Sequence, residues 1–209
     1  MFTVGPVQEN TYIFRRDGSN EALIIDPGEE APRLLNVLDE LKLDLKGILL
    51  THTHFDHVGA VAPVARATKA EVWVPEIEKP VLADIMSFVP WAGFGPYESW
   101  DAEHTLSGGE QLQLAGFDID VIFTPGHSPG HVTYSIADEQ AIFSGDVLFQ
   151  QSVGRTDLPG GDWPTLLESI SHLIDELPEE TVVYPGHMGV TSLGAERAHN
   201  PFLAELANR

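Results

Sequence analysis

The chain contains no cysteine. That absence rules out disulfides and any thiolate metal ligand, so whatever binds a metal here must use nitrogen or oxygen; it says little about compartment. Basic residues are scarce too: 11 Lys and Arg stand against 32 Asp and Glu, a formal net charge of −21. A field of that sign repels polyanions, so nucleic acid is not an expected partner. Solubility, or a salty cellular interior, is the simplest account of the acidity. No apolar run approaches the roughly 20 residues that span a bilayer, and Met1 to Pro6 shows no basic region leading into an apolar stretch. A soluble, cytoplasmic protein without a membrane partner is the expectation.

What is present reads as globular and turn-rich: 43% hydrophobic residues with 19 Gly and 15 Pro. A length of 209 residues can bury a substantial core without demanding a second one, so one domain spanning 1–209 is expected.

The densest cluster of reactive side chains is Thr51-His52-Thr53-His54-Phe55-Asp56-His57. Lys46 to Leu50 reads as a buried strand, and residues two apart leaving a strand project to one side. His52 and His54 can therefore share one cation, while Asp56 and His57, where the chain turns, can face a second. A single histidine is most often a hydrogen-bonded surface or core residue. Here that reading would have to hold several times in one place.

Before this cluster, Phe2 to Val7, Thr11 to Arg16 and Ala22 to Asp26 read as a meander of short strands closed by Asp26-Pro27-Gly28, and Glu30 to Leu41 has helical apolar spacing. After it, a helix over Val58 to Thr68, a strand over Glu71 to Val74 and a helix over Glu76 to Met86 are expected. Residues 88–104 then lose periodicity while holding Phe88, Trp91, Phe94, Tyr97 and Trp100. Two readings stay open for them: a loop packed on itself or on a sister subunit, and a lip over an active site. Strands follow at Gln111 to Leu114, Phe117 to Phe123, Val132 to Ile136, Gln140 to Ser144 and Thr181 to Tyr184, with helices at Trp163 to Leu177 and Leu193 to His199. Periodicity alone supports a mixed α and β domain.

Three more strands end in a ligand-type residue directly after a glycine: His127 in Thr-Pro-Gly-His, Asp146 in Ser-Gly-Asp and His187 in Tyr-Pro-Gly-His. Any one of these could be an incidental polar turn. Together with residues 52–57 they form a set. His104 and His172 read as solvated surface residues.

The order H-x-H-x-D-H, P-G-H, G-D, P-G-H resembles that of the metallo-β-lactamase-fold hydrolase superfamily. The runs Gly154-Arg155-Thr156-Asp157 and His199-Asn200-Pro201-Phe202-Leu203 are similar to those of its glyoxalase II-like (hydroxyacylglutathione hydrolase-like) branch, and specifically to the shorter, single-domain members without the C-terminal glutathione-gripping helices. The likeness runs over nearly the whole chain. It implies a four-layer αββα sandwich of two mixed β-sheets flanked by helices. It implies two divalent metal ions, zinc being the first expectation with iron or manganese as alternatives. His52, His54 and His127 would hold metal one, Asp56, His57 and His187 metal two, and Asp146 would bridge them. A metal-bridging hydroxide, oriented by Asp56 as catalytic residue, would cleave a small acyl thioester such as S-lactoylglutathione, with monomer or homodimer left undecided. His131 and His199 would orient ligands from behind. Arg155 and Asp157 read first as an ion pair fixing a loop and second as substrate contacts. Family members that hydrolyse antibiotics commonly use a cysteine ligand or lack the bridging Asp, so β-lactam hydrolysis is disfavoured.

The main alternative is the persulfide dioxygenase branch, with one iron on His52, His127 and Asp146. Leu158-Pro159-Gly160-Gly161 departs from the continuation that branch carries after Asp157. A non-catalytic binding module would predict missing ligands, and none is missing.

Overall fold

The structure, a computed structural model, describes residues 1–89 and 91–204. Pro90, within the aromatic segment, and residues 205–209, within the expected domain, lie outside the described residues.

The first sheet holds β1 (Phe2–Val4), β2 (Glu9–Arg15), β3 (Glu21–Ile25), β4 (Asp44–Leu49), β5 (Glu71–Pro75) and β6 (His104–Leu106), in that spatial order. Pairing is antiparallel from β1 to β3 and parallel from β3 to β6. Successive side chains on a strand face opposite sides, and both sides here are apolar. Ile24, Ile48 and Val72 face outward to the helices α1 (Ala31–Glu40), α2 (Phe55–Val58), α3 (Val61–Thr68) and α4 (Lys79–Ala83), while Leu23, Ile25, Leu49 and Trp73 face inward.

The inward residues meet the second sheet: β7 (Gln111–Leu114), β8 (Phe117–Phe123), β9 (Val132–Ile136), β10 (Ala141–Gly145), β13 (Val182–Pro185) and β14 (Thr191–Ser192), ordered β14-β13-β10-β9-β8-β7. Phe117, Ile119, Val121, Tyr134 and Phe143 supply the opposing side of this central layer. Between β10 and β13 lie a small hairpin, β11 (Leu148–Phe149) with β12 (Ser152–Val153), and α5 (Trp163–Glu176). α5 and α6 (Leu193–His199) cover the outer side of the second sheet through Leu166, Ile170, Leu173 and Leu193. Each such fully buried side chain contributes about 1.5–3 kcal/mol. The αββα sandwich is thus two sheets packed face to face with helices outside both.

Local expectations needed three adjustments. Residues 58–68 do not form one helix, because the Ala60 N–H donates to Pro27 O at 2.9 Å and ties the chain to the exit of β3 between α2 and α3. The helix over 76–86 shortens to α4 plus a 3-10 turn at Ile85–Ser87, with Pro80 unable to donate in its first turn. The irregular segment ends in β6, an edge strand beside β5.

β3 and β4 run parallel, as do β10 and β13. β8 also runs in the direction of β10, since each is antiparallel to β9. The exits of β4, β8, β10 and β13 carry the candidate residues, so the topology delivers them to one rim of the sandwich.

Candidate metal centre

His52, His54 and His127 place ligand atoms within 4.8 Å of one another, as do Asp56, His57 and His187. In the first trio His54 Nδ1 lies 3.1 Å from His52 Nε2 and 2.8 Å from His127 Nε2. In the second, His187 Nε2 is 3.3 Å from Asp56 Oδ2, and His57 Nε2 is 3.9 Å from the same oxygen. Asp146 stands between them: Oδ2 is 3.4 Å from His127 Nε2 and 3.5 Å from His187 Nε2, and Oδ1 is 3.3 Å from His57 Nε2. Gly145 reaches this turn with φ 46°, left-handed backbone that favours glycine. Gly154 passes so close that a Cβ there would sit 1.8 Å from Asp146 O.

The outer nitrogens fix which lone pairs point inward. His127 Nδ1–H donates to Arg155 O at 2.7 Å and His187 Nδ1–H to Gln8 O at 3.3 Å. His57 Nδ1–H donates to Asp26 Oδ2 at 3.0 Å. The Thr51 hydroxyl donates to Asp26 at 2.6 Å, which leaves its oxygen to accept from His52 Nδ1–H at 3.0 Å. Four imidazoles therefore aim Nε2 at the shared floor. Lone pairs 2.8–3.1 Å apart repel unless a cation or proton lies between them. His57 Nε2 and Asp146 Oδ1 have no hydrogen-bond partner among the described residues. Orphaned, buried nitrogen and oxygen donors of this kind fit divalent metal ions.

Burial and the neighbouring histidines hold His52 well below its usual pKa, and burial followed by His127 brings His54 down to about 4. Burial would lower His57 as well, but Asp146, Asp26 and Asp56 outweigh it and hold this imidazole well above the usual range. Asp146 is the converse: burial opposes its charge, and His187, His57 and His127 keep it ionised. Asp26, His52 and His57 also cluster, but both Asp26 oxygens are engaged by Thr51 and His57 Nδ1, so Asp26 acts from behind His57.

Of the remaining candidates, His131 is fully buried and its Nε2 accepts from the Asp146 N–H at 3.1 Å, so it positions Asp146 and has no free lone pair. Arg155 and Asp157 form a bidentate ion pair at 2.6 and 2.7 Å. His199 is a correction: it is exposed at the end of α6 and makes no hydrogen bond or ring contact with the site. Its neighbour Asn200 is the buried one, donating to Ser152 O at 3.0 Å and Glu196 at 2.8 Å. His104 pairs with Glu71 and stacks on Trp73, and His172 is exposed.

Four supporting residues were not foreseen. Asp26 carried the same signal as Asp146, an acid at the exit of an apolar strand. Glu78 accepts from Thr53 Oγ1 at 2.7 Å, Ser128 Oγ at 2.6 Å and Gly130 N at 2.9 Å, joining the His54 and His127 loops. Asn10 donates from Nδ2 to Pro185 O at 3.2 Å and Met188 O at 2.9 Å, on the turn that carries His187. Glu9 is wholly buried beside His57, 3.9 Å from its Nδ1, and burial raises its pKa well above normal.

His54, Asp56, His127, Asp146 and His187 open into a cleft of about 760 Å³ that Phe88 and Trp91 also line. Phe94, Tyr97 and Trp100 instead pack on the core beneath the first sheet. Part of the aromatic segment therefore packs on the core, a placement that neither reading named, while Phe88 and Trp91 line the cleft.

The model of the metallo-beta-lactamase superfamily matches residues 4–187. The chain belongs to this superfamily. It is 40% identical over 205 residues to the probable metallo-hydrolase YqgX of Bacillus subtilis (96% of this chain, 94% of the relative). It is 37% identical over 209 residues to the hydroxyacylglutathione hydrolase GloC of Haemophilus influenzae (94% and 93%). Among solved structures it is similar to BLEG-1 B3 metallo-beta-lactamase, with TM-score 0.91, 43% identity and 97% of each chain covered. TTHA1623 in a di-iron-bound form follows with TM-score 0.85, 40% identity and coverage of 97% and 98%. ETHE1 from Myxococcus xanthus gives TM-score 0.75, 29% identity and coverage of 93% and 79%. Superfamily membership with these His and Asp groups implies divalent metals. No described helix is long and apolar enough to cross a membrane.

Proposed function

We propose that the protein is a dinuclear metal-dependent hydrolase of small acyl thioesters, with zinc as its first candidate metal. The observation that carries this reading is Asp146 standing between two ligand trios, with the outer nitrogens of His52, His57, His127 and His187 already committed. The relative named as a hydroxyacylglutathione hydrolase supports the choice of bond. Bound divalent ions would supply a water of pKa about 7 in place of 15.7 and a Lewis acid for the carbonyl. Asp56, on the cleft floor with one oxygen 3.3 Å from His187 Nε2, orients the attacking water and accepts its proton. The carbon–oxygen bond forms, the carbon–sulfur bond breaks, and the thiolate leaves with that proton. His131, Asp26 and Arg155 O keep the reacting groups in register.

The test is thiol release from S-lactoylglutathione and S-acetyl-N-acetylcysteamine by metal-loaded protein, with a penicillin as the counter-substrate that the likeness to BLEG-1 calls for. Thiol release is expected; β-lactam turnover without it would overturn the reading. The likeness to ETHE1 favours a second reading, a mononuclear iron persulfide dioxygenase on His52, His127 and Asp146. A single iron with oxygen uptake on glutathione persulfide would establish it instead.

A further inference from the structure

Twelve large apolar side chains are exposed among the described residues, and five of them, Val7, Ile77, Phe88, Trp91 and Met188, gather around the cleft above the metal-type floor. They come from four separate stretches: the turns after β1 and β5, the segment after α4, and the loop that carries His187. Exposed apolar residues scattered singly need no explanation, but a group rimming one opening marks a binding surface. The cleft, at about 760 Å³, is of a size that holds small molecules.

Its charges point the same way. Arg155 is the only Lys or Arg among the described lining residues, and Asp157 already holds the Nε–Nη2 edge of its guanidinium. Glu78, also in the lining, has both oxygens engaged by Thr53, Ser128 and Gly130. Outside the metal site a substrate carboxylate would find one guanidinium, already paired along one edge with Asp157, and it would approach through the field of a chain with net charge −21.

We propose that the cleft selects thioesters whose group remote from the scissile carbonyl is uncharged and apolar, aryl or branched aliphatic, in preference to a thiol with two carboxylates such as glutathione. This rests on the thioester reading for the bond cleaved. The apolar group seats against Phe88, Trp91, Val7, Ile77 and Met188. Such a wall discriminates strongly, since one methylene in a hydrophobic pocket changes kcat/KM by roughly 10- to 200-fold.

Two substrate arms decide which end of the substrate supplies the apolar group. On metal-loaded protein, S-phenylacetyl- is compared with S-acetyl-N-acetylcysteamine for the acyl end, and benzyl thioacetate with S-acetyl-N-acetylcysteamine for the thiol end. A rise in kcat/KM of about tenfold or more is expected in at least one arm, with most of the gain lost in Trp91→Ala and in Phe88→Ser, and no advantage for S-acetylglutathione. Flat ratios in both arms, or a preference for the glutathione conjugate, would overturn the proposal. If no thioester is turned over, the hydrolase reading fails separately. The wall is then judged by titrating S-benzyl-N-acetylcysteamine, an uncleavable thioether, against tryptophan fluorescence: saturable binding weakened by Phe88→Ser supports it, and no saturable binding to the wild type overturns it.

Discussion

An imidazole gives a cation a lone pair only when its other nitrogen keeps the proton, and at this site that second nitrogen is the more informative atom. His52, His57, His127 and His187 each have Nδ1 held by an acceptor of the chain, so each presents Nε2. His54 is the exception: its Nδ1 faces inward. Burial, then His127, lowers the His54 pKa to about 4 in the folded chain. The unfolded chain protonates this residue near 6.5, so between about 6.5 and 4 the unfolded state holds more protons. Stability contributed by neutral His54 is therefore full above that window and lost as pH falls through it. Histidine NMR of the metal-free protein should find the His54 midpoint near 4; a midpoint near 6.5 would contradict its burial among other imidazoles. For Asp56, truncation to Ala is expected to lower kcat roughly 10²- to 10⁴-fold while circular dichroism stays unchanged. Undiminished turnover would remove Asp56 from the chemistry.

At the scale of elements, the β2 strand of one sheet clamps the His187 turn of the other. Besides the two Asn10 side-chain bonds, Asn10 N donates to Gly186 O at 2.7 Å and the Tyr12 hydroxyl to Pro185 O at 2.7 Å. Replacing Asn10 by Ala removes the donor to Met188 O and leaves Pro185 O to the Tyr12 hydroxyl. A loss of about 1–3 kcal/mol in urea unfolding is expected, together with weaker occupancy of the Asp56–His57–His187 trio in calorimetric metal titrations. Unchanged binding there would mean that the clamp does not position His187. This clamp could not be read from the sequence, because Asn10 and Met188 are 178 positions apart and nothing near either residue encodes the pairing. Glu78 was hidden for a similar reason: its partners are 25 to 52 positions away and it sits in a polar turn. The ligand-type residues were legible because their signal is local, a polar residue at a fixed step beyond an apolar strand. Helix limits at 58–61 and 79–87 were less so, since a tertiary hydrogen bond to Pro27 and the run around Pro80 decide them.

For the whole molecule, periodicity supported only a mixed α and β domain, while the stacking of two sheets came from family likeness, since periodicity does not say what a face packs against. Net charge acts at this scale as well. With 32 acidic residues against 11 basic ones, self-repulsion should exceed the exposed ion pairs. Raising NaCl from about 0.01 M to 0.5 M cuts the screening length from about 30 Å to under 8 Å, so Tm should rise by several degrees in calorimetry; a fall would show that surface pairs dominate. The account's central claim is that seven side chains from both sheets hold two cations. The most direct test is the number of divalent ions retained per chain after metal loading and exhaustive dialysis, by elemental analysis, for the wild type and Asp146→Ala. Two ions in the wild type with loss from the variant are predicted, whereas a wild type that keeps one ion or none, or a variant that still keeps two, would contradict it.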